Sequence, residues 1–432
     1  MDDSMIYWLW LRTHTPAASP IGRQLLHVFG SAEGVYCASK EQLERMETLS
    51  VSELARLSEK DTYFEERTLA YCKRYRVGLL TWSDAEYPET LRMLANPPIL
   101  LCYFGKLPRF DSCRTFSVVG TRRMSEYGKK MTYEIAYGLA KAGVTVVSGM
   151  ALGIDSVAAA ACIAAGGTTV AVLGNGFGRI YPQEHAKLQS EIIRHGAVIT
   201  EYVPGEEPVP EHFPQRNRII AALGGGLAVM EAGKGSGALI SARIAAELGK
   251  PIFVLPENAT EPNGYGTAFL AKQGASVFTS AYDVLDHFGL EAQAALVPKR
   301  IKSNADEMLA KLGVSSRPYN SPTHSSAAVA KEEAPSEKRV AKEKHRAAVT
   351  DAETEKGNDC DSFASQEDVS LALGERVARL YRRIPAEESI LSDFLIADSE
   401  DPKQAANDLT VLEISGYIEC LPGGYFRRSK SK

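Results

Sequence analysis

Four glycine-rich segments of this sequence each follow a run of residues that is typical of a buried β-strand. They are VGTR at 119–122, SGMALGID at 148–155, GNGFG at 174–178 and EAGKGSG at 231–237. Glycine lets the backbone approach a ligand closely, and a helix that begins after such a turn offers free N–H groups and the positive end of its dipole. Residues of these types at this spacing predict the binding of phosphate groups.

Basic side chains accompany these turns. Residues 114–290 carry equal numbers of basic and acidic residues, so attraction for an anion depends on how the basic ones cluster. Asp155 either orients a ligand or caps the helix that follows it, and the sequence leaves both roles open. The candidate phosphate-binding residues lie within or beside the turns: Gly120, Thr121, Arg122, Ser148, Gly149, Gly153, Arg216, Arg218, Lys234, Ser236 and Gly237.

The same segments lack a catalytic signature. The P-loop pattern requires Ser or Thr directly after its lysine, but Gly235 follows Lys234, and Ala228 stands where the first glycine is needed. Glu201 and Glu231 form a candidate carboxylate pair, although nothing in the sequence shows that they meet. The eight histidines form no cluster with metal-ligand spacing. We therefore expect a binding protein and no enzyme, with neither a metal nor a cofactor.

Strands alternate with helices across residues 111–290. This alternation predicts right-handed βαβ units, and hence a Rossmann-like, doubly wound, mainly parallel α/β sheet covered by helices on both faces. Ligands of such sheets bind beyond the carboxyl ends of the strands, where the glycine-rich segments lie. The predicted strands are 116–119, 144–147, 168–173, 197–200, 227–230 and 252–255, and the predicted helices are 127–142, 156–165, 184–195, 216–223 and 236–248.

The length and composition of the chain fit several globular domains. A chain of 432 residues with 44% apolar residues has room for two or more domains with sizeable cores. Seven cysteines at irregular spacing argue against a disulfide framework and a zinc site. The N-terminus fits neither a secretory signal nor a membrane span, so a cytoplasmic location without membrane contact is expected. With a net charge of −5, any contact with nucleic acid depends on a local basic patch.

Three regions flank the predicted sheet domain. Residues 291–365 are rich in Ser, Ala, Pro, Lys and Glu, cannot bury enough apolar surface to offset chain entropy, and are expected to form a disordered linker. Residues 366–432 predict a winged helix, with helices at 371–383, 389–397 and 403–415 before a β-hairpin. Residues 1–110 predict a mostly helical domain whose core holds Tyr7, Trp8, Trp10 and Phe29.

A series of longer motifs contains the glycine-rich segments. In this series the chain resembles the DNA processing protein A family (DprA or Smf), over nearly its whole length and most densely over 114–290. Many motifs in one order make the resemblance highly specific. The matching stretches are VVGTRRMSEYG (118–128), SGMALGID (148–155), AVLGNGFGRIYP (171–182), ITEYVPGEEP (199–208), HFPQRNRIIAAL (212–223) and VMEAGKGSGALISARIAAELGKPIFVLP (229–256).

The resemblance implies a protein that binds single-stranded DNA, protects it and loads the recombinase RecA during natural transformation. It adds Phe213 and Asn217 to the candidate site, because the family's Phe-Pro-x-Arg-Asn-Arg motif falls on them. Arg122, Arg218 and Lys234 would then neutralise phosphates, which makes affinity depend on salt. Phe213 either stacks on a base or packs in the core, and the sequence leaves both open.

The resemblance also implies partners and a domain plan. It implies a homodimer through the Rossmann-like domain, and an N-terminal domain of the SAM or helix-hairpin-helix kind. Single-strand-binding protein is a further candidate partner. Gly178, His185, Glu257 and Ala268 depart from the Asp, Asn, Gly and Asn that are usual in the family. These departures put the binding of a small nucleotide in doubt and leave the basic and glycine-rich residues intact.

Two alternative functions use other features. A Rossmann-like nucleotide phosphoribohydrolase would use Glu231 as its catalytic carboxylate, but that family's Pro-Gly-Gly-x-Gly-Thr run is absent. A transcriptional regulator would read duplex DNA with the winged helix. Its candidate recognition helix, residues 401–415, has Lys403 as its only basic residue. A protein-binding or self-association role fits the C-terminal domain better.

Overall fold

A nine-stranded sheet runs through residues 78–277. The computed structural model describes residues 4–258, 260–290, 305–314, 369, 372–384, 390–391, 402–415, 417–421 and 425–429. The strands are β1 Gly78–Thr81, β2 Leu100–Gly105, β3 Thr115–Val119, β4 Thr145–Ser148, β5 Thr169–Val172, β6 Ala197–Thr200, β7 Leu227–Val229, β8 Ile252–Val254 and β9 Ser276–Val277. Their order is β1-β2-β6-β5-β4-β3-β7-β8-β9, and all pairs except β1–β2 and β2–β6 are parallel.

The helical N-terminal domain ends earlier than predicted. Its helices are α1 Met5–His14, α2 Ile21–Phe29, α3 Ala32–Cys37, α4 Lys40–Glu44, α5 Val51–Ser58 and α6 Tyr63–Tyr75. Trp8 and Trp10 are buried in its core, and Tyr7 and Phe29 pack against them. The following residues, which include the short helix α7 (Glu89–Arg92), add β1 and β2 to the main sheet. The apolar run ILLCYF (99–104), bounded by Pro98 and Gly105, is a local signal for β2, but the sheet that it joins is set by tertiary contacts.

Helices cover both faces of the sheet. One face carries α8 Glu126–Lys141, α9 Ile154–Ala164, α10 Ala186–His195 and α14 Ala281–His287, and the other carries α11 His212–Leu223, α12 Gly237–Glu247 and α13 Tyr265–Lys272. Strand residues alternate between the two cores, since Val118 packs in the first and Val119 in the second. Every strand and helix predicted for this region is present, and the Rossmann-like, doubly wound fold is confirmed.

The predicted linker contains an ordered helix, which corrects the expectation for part of residues 291–365. Helix α15 (Ala305–Lys311) packs on α9 and buries Leu309, and Leu312 after it is also buried. Lys129 of α8 pairs with Asp306 (Nζ–Oδ1 3.0 Å). Leu309 and Leu312 have the spacing of one helix face, a signal that the polar composition around them concealed. The rest of the predicted linker lies outside the described residues.

The described C-terminal region contains two of the predicted helices and a small sheet. Its elements are α16 Glu375–Arg382, β10 Ile390–Leu391, α17 Pro402–Ile414, β11 Ile418–Leu421 and β12 Tyr425–Arg428, with the strand order β10-β12-β11. The predicted hairpin is therefore present. Ile390 and Leu391 were expected in a helix over 389–397, but they pair with β12 as a strand. The rest of that helix lies outside the described residues, and the winged helix stays a prediction.

Lys250 fixes the end of α11, the helix that carries Phe213 and Asn217. Its ammonium donates to the carbonyl oxygens of Ala221 (3.2 Å), Ala222 and Gly224 (2.5 Å). The last carbonyls of a helix lack partners inside the helix, so the half-buried Lys250 satisfies them and complements the helix dipole. The C-terminal end of α11 is thereby anchored to the residues just before β8.

Two kinds of feature are absent from the described ranges. No helix within the described ranges is long and apolar enough to cross a membrane. The same ranges hold no group of His, Cys, Asp and Glu side chains that is able to bind a metal ion. The cysteines described there, Cys37, Cys72, Cys102, Cys113 and Cys162, are free.

Candidate nucleic-acid interface

A cleft of about 700 Å³ opens at the carboxyl ends of β3 and β7, between the starts of α11 and α12. Because both strands are parallel and adjacent, their glycine-rich turns meet at one edge of the sheet. The cleft collects nine of the predicted site residues: Gly120, Thr121, Arg122, Phe213, Arg216, Asn217, Lys234, Ser236 and Gly237. Gly149 lines an adjoining side pocket of about 110 Å³.

Phe213 stands at the boundary between the cleft and the side pocket and lines both. Its ring is half-buried, with the guanidinium carbon of the exposed Arg122 5.5 Å from the ring centroid and the Tyr181 ring 5.2 Å away. A Cβ on Gly174 would lie 3.0 Å from the Phe213 ring, so the glycine gives the ring its space. The structure therefore presents an aromatic surface next to a cation, and does not bury Phe213 in the core.

Arg216 lies beneath Phe213 as a buried cation. Its Nη1 donates to the carbonyl oxygens of Gly149 (2.8 Å) and Val172, and its guanidinium carbon lies 6.0 Å from the Phe213 ring centroid. A Cβ on Gly149 would come within 2.7 Å of the guanidinium, which requires glycine there. Burial lowers the pKa of Arg216 to about 10. Arg216 thus ties two strand ends together and adds positive charge to the floor of the cleft.

Asp155 does not cap α9, whose N-cap is Gly153, but it lines the cleft, so a ligand-orienting role stays a prediction. Asp155 is 6% exposed, and its Oδ2 accepts a bond from the Gly149 N–H (3.1 Å), across the turn between β4 and α9. Burial raises the pKa of Asp155, and the nearby Arg216 opposes that rise. The carboxyl group consequently braces the turn that Arg216 also holds.

Three predicted site residues lie away from the cleft surface, and their assignment is corrected. Arg218 is 4% exposed, and its Nη2 donates to Glu201 Oε2 (2.6 Å) while its Nε donates to the Asn96 carbonyl (3.0 Å). The buried Ser148 hydroxyl donates to the Val118 carbonyl (2.8 Å). Gly153 is buried with a φ of +82°, and its role is to form the turn before α9.

The expectation of a phosphate site at each helix start is also corrected. Glu231 is fully buried at the start of α8, where it accepts bonds from the Ser125 N–H (2.9 Å), the Ser125 hydroxyl and Asn263 Nδ2 (3.3 Å). A Cβ on Gly128 would lie 2.3 Å from its carboxyl carbon. The protein's own carboxylate therefore occupies this helix terminus. Glu231 and Glu201 have separate partners and form no pair.

The start of α12 faces the cleft. The exposed Lys234 and Gly235, whose φ is +77°, precede it, and Ser236 caps it by accepting a bond from the Ala238 N–H (3.3 Å). Asn217 Nδ2 donates to the Gly237 carbonyl (3.2 Å) and so links α11 to this turn. Lys234 and Arg122 are thus the exposed cations that the sequence predicted for this cleft.

Several residues of the cleft and side pocket were missed by the sequence prediction. Arg123, Pro208 and Pro210 line the cleft, Arg179 lines the side pocket, and Tyr181 lines both. The signal for Arg179 and Tyr181 was present in the stretch GFGRIYP, which directly follows the third glycine-rich turn. A basic residue beside such a turn is the signal that singled out Arg122, and Arg179 carries the same signal.

Comparison with known proteins identifies the family. The model of the family described as DNA recombination-mediator protein A matches residues 78–289, from β1 to just after α14. The chain is 34% identical over 220 residues to the DNA processing protein DprA of Bacillus subtilis, a match that covers 51% of this chain and 74% of that protein. The chain belongs to this family. The resemblance found in the sequence is confirmed, and the shared region of the DprA family is the nine-stranded sheet with its helices.

Two further relatives of DprA type define the extent of the similarity. The chain is 38% identical over 213 residues to the protein Smf of Synechocystis sp., a match that covers 49% of this chain and 54% of that protein. The X-ray structure of DprA from Streptococcus pneumoniae superposes with a TM-score of 0.57 at 30% identity, over 67% of this chain and 99% of that chain. The shared fold therefore includes the cleft.

Proposed function

We propose that the chain binds single-stranded DNA in the cleft, with little dependence on base sequence. The observation that carries the proposal is the half-buried aromatic ring of Phe213, which lines the cleft between Arg122 and the Tyr181 ring. Every base has a π-face that can stack on an aromatic ring, and a duplex already stacks its own bases, so this surface favours single strands. Lys234 and Arg122 would contact the phosphates.

A substitution series at Phe213 tests the proposal. We expect Phe213→Ala to weaken the binding of a labelled oligothymidylate by about 5- to 150-fold, because stacking contributes roughly 1–3 kcal/mol per base. Phe213→Leu should lose as much, since it keeps apolar volume but no π-face, whereas Phe213→Tyr should bind like wild type. Fluorescence anisotropy measures the affinities, with the matching duplex as control. Equal binding of both DNA forms by wild type, or full rescue by Leu, would contradict the proposal.

The same proposal extends to the fate of the bound DNA. We propose that the chain protects the strand and loads RecA onto it in the cytoplasm during natural transformation, with single-strand-binding protein as a further partner; membership of the DprA family supports this step. Wild type should protect the strand from nuclease and shorten the lag of RecA filament formation on strands coated with single-strand-binding protein. Phe213→Ala should do neither, and an equal lag with both proteins would argue against loading through this cleft.

We also propose that the chain forms a homodimer through the β9 end of the sheet. Four large apolar side chains are exposed there: Tyr265 (48%), Phe269 (49%), Val277 (58%) and Tyr282 (57%). β9 is an edge strand, and an exposed apolar patch at an open sheet edge is typical of an interaction surface.

Light scattering after size exclusion tests this dimer. Phe269→Asp should convert it to a monomer, because a charge would be buried at the interface. Val28→Asp is the matched control, since Val28 is also an exposed apolar residue (59%) but lies on α2 in the N-terminal domain. A monomeric wild type, or a dimeric Phe269→Asp, would rule out this interface.

We propose that DNA leaves the cleft chemically unchanged. The hydrolase alternative needs Glu231 at the ligand, but this carboxylate is fully buried and holds the start of α8. We expect no turnover of nucleoside monophosphates by wild type. Turnover that disappears in Glu231→Gln would revive the hydrolase alternative.

A further inference from the structure

Helix α17 of the C-terminal region rests on α6 of the N-terminal domain. Glu413 Oε1 accepts bonds from Arg74 Nη1 (3.1 Å) and the Tyr75 hydroxyl (3.3 Å). The Tyr63 hydroxyl donates to the Ser415 carbonyl (3.0 Å). The side chain of Glu413 is only 12% exposed in this contact. The C-terminal end of α17 is therefore held by charge-assisted bonds to a basic and aromatic face of α6.

A second contact holds the C-terminal region on the chain between β6 and α11. Glu207 Oε1 accepts bonds from Asn407 Nδ2 (3.1 Å), Arg376 Nη2 (3.3 Å) and Gln404 Nε2. Arg376 Nη2 also donates to Asp408 Oδ1 (3.1 Å), on the same side of α17. One carboxylate oxygen thus receives three donors from two helices of the C-terminal region. Such convergence indicates a specific docking site.

The contact at Glu207, and a further one at Gly178, adjoin the walls of the cleft and of its side pocket. Glu207 precedes Pro208, which lines the cleft, and Gly178 precedes Arg179, which lines the side pocket. A Cβ on Gly178 would lie 2.7 Å from Thr410 Cγ2, so α17 packs closely on that loop. None of the described residues beyond 368 lines either cavity. The C-terminal region therefore supports the two loops without occupying the space between them.

We propose that α17 recognises the chain's own α6 and Glu207, and that this docking braces the two loops, 174–181 and 203–210, that border the cleft. Loops held in place before binding lose less conformational entropy when a strand enters. The inference rests on the proposed binding of single-stranded DNA. It also assigns the contact face of α17 to an intramolecular partner, because a helix docked in this way cannot enter the major groove of a duplex.

Glu207→Ala in the full chain distinguishes the loss of loop support from the loss of a negative charge, because the two effects change DNA affinity in opposite directions. Removing a negative charge beside the cleft would by itself tighten DNA binding. Loss of the brace should instead weaken oligothymidylate binding by about 3- to 10-fold. Glu211→Ala is the matched control, since Glu211 is an exposed residue beside the start of α11 and carries the same charge. It should bind at least as tightly as wild type.

Hydrogen–deuterium exchange tests the docking without DNA. The backbone amides of residues 63–75 should exchange faster in Glu207→Ala and in Glu413→Arg than in wild type. The double variant that combines Arg74→Glu with Glu413→Arg should regain part of the lost protection, because it restores an ion pair of opposite orientation.

A further exchange measurement with DNA links the docking to binding. If docking and DNA binding strengthen each other, saturating oligothymidylate must slow the exchange of these amides in wild type.

The outcomes separate the two proposals. Unchanged exchange in both single variants would overturn the docking, whatever the DNA affinity. If Glu207→Ala showed faster exchange at residues 63–75 but bound single strands as tightly as wild type or more tightly, the docking would stand and the bracing of the loops would be overturned. Gain of duplex binding by Glu207→Ala would also overturn it, in favour of a DNA-reading helix that undocks. A wild type that does not bind single strands would contradict the proposed function itself, and with it the bracing of a DNA cleft.

Discussion

Arg218→Met is expected to lower the free energy of unfolding by about 3–5 kcal/mol, because it leaves Glu201 buried without its partner. The two side chains are 5% and 2% exposed, with Arg218 Nη2 2.6 Å from Glu201 Oε2. Among the described residues, Glu201 Oε1 already has no hydrogen-bond partner. Methionine keeps much of the side-chain volume, so the loss would report the unpaired charge more than a cavity. Urea denaturation followed by circular dichroism measures it.

Two further variants make that prediction specific. Arg122→Met, at an exposed position, should change the stability by less than about 0.5 kcal/mol. Combining Arg218→Met with Glu201→Gln should recover most of the loss, because no unpaired charge then remains buried. If Arg218→Met were as stable as wild type and bound oligothymidylate more weakly, Arg218 would return to the group of phosphate-contacting residues.

The contrast between Arg216 and Arg218 shows where sequence information ends. Both belong to one motif, but residues two apart on a helix point about 200° away from each other. Arg216 therefore reaches the strand ends at Gly149 and Val172, whereas Arg218 reaches Glu201. The motif predicts that both arginines matter. Only the packing of α11 shows that Arg216 underlies the cleft, whereas Arg218 joins α11 to Glu201 at the end of β6 and to the backbone of Asn96.

The order of the strands explains a second limit. The alternation of strands and helices predicted the parallel sheet, and the carboxyl ends of its strands predicted the edge at which Gly120 and Lys234 meet. It did not predict that β7 lies next to β3, which brings Glu231 to the start of α8. A helix terminus that looks free in the sequence is consequently filled by a distant carboxylate. β1 and β2 were also not predicted. The apolar run ILLCYF at 99–104 is a local strand signal, but the pairing of β2 with β6 depends on tertiary contacts.

The largest expected effect on the salt dependence of DNA binding comes from removing both exposed cations of the predicted site. Arg122 and Lys234 line the cleft from the ends of two different strands, β3 and β7. Each phosphate contact with a single strand contributes about −0.7 to the slope of log K against log salt. Arg122→Ala combined with Lys234→Ala should therefore make the slope shallower by about 1.4. If the variant and wild type bind oligothymidylate equally at 1 M salt, the variant should then bind roughly 60-fold more weakly than wild type at 50 mM salt.

Anisotropy across a salt series distinguishes phosphate contact from a structural effect. A variant that had merely distorted the cleft would lose affinity at every salt concentration and keep the wild-type slope. Loss of affinity that disappears near 1 M salt would show that the two side chains act through charge. Arg243→Ala combined with Lys40→Ala removes the same charge from exposed ion pairs on α12 and α4 that do not line the cleft. If this control shifted the slope as much as the cleft variant, binding would depend on the overall charge of the protein, and the cleft would lose its assignment as the DNA site.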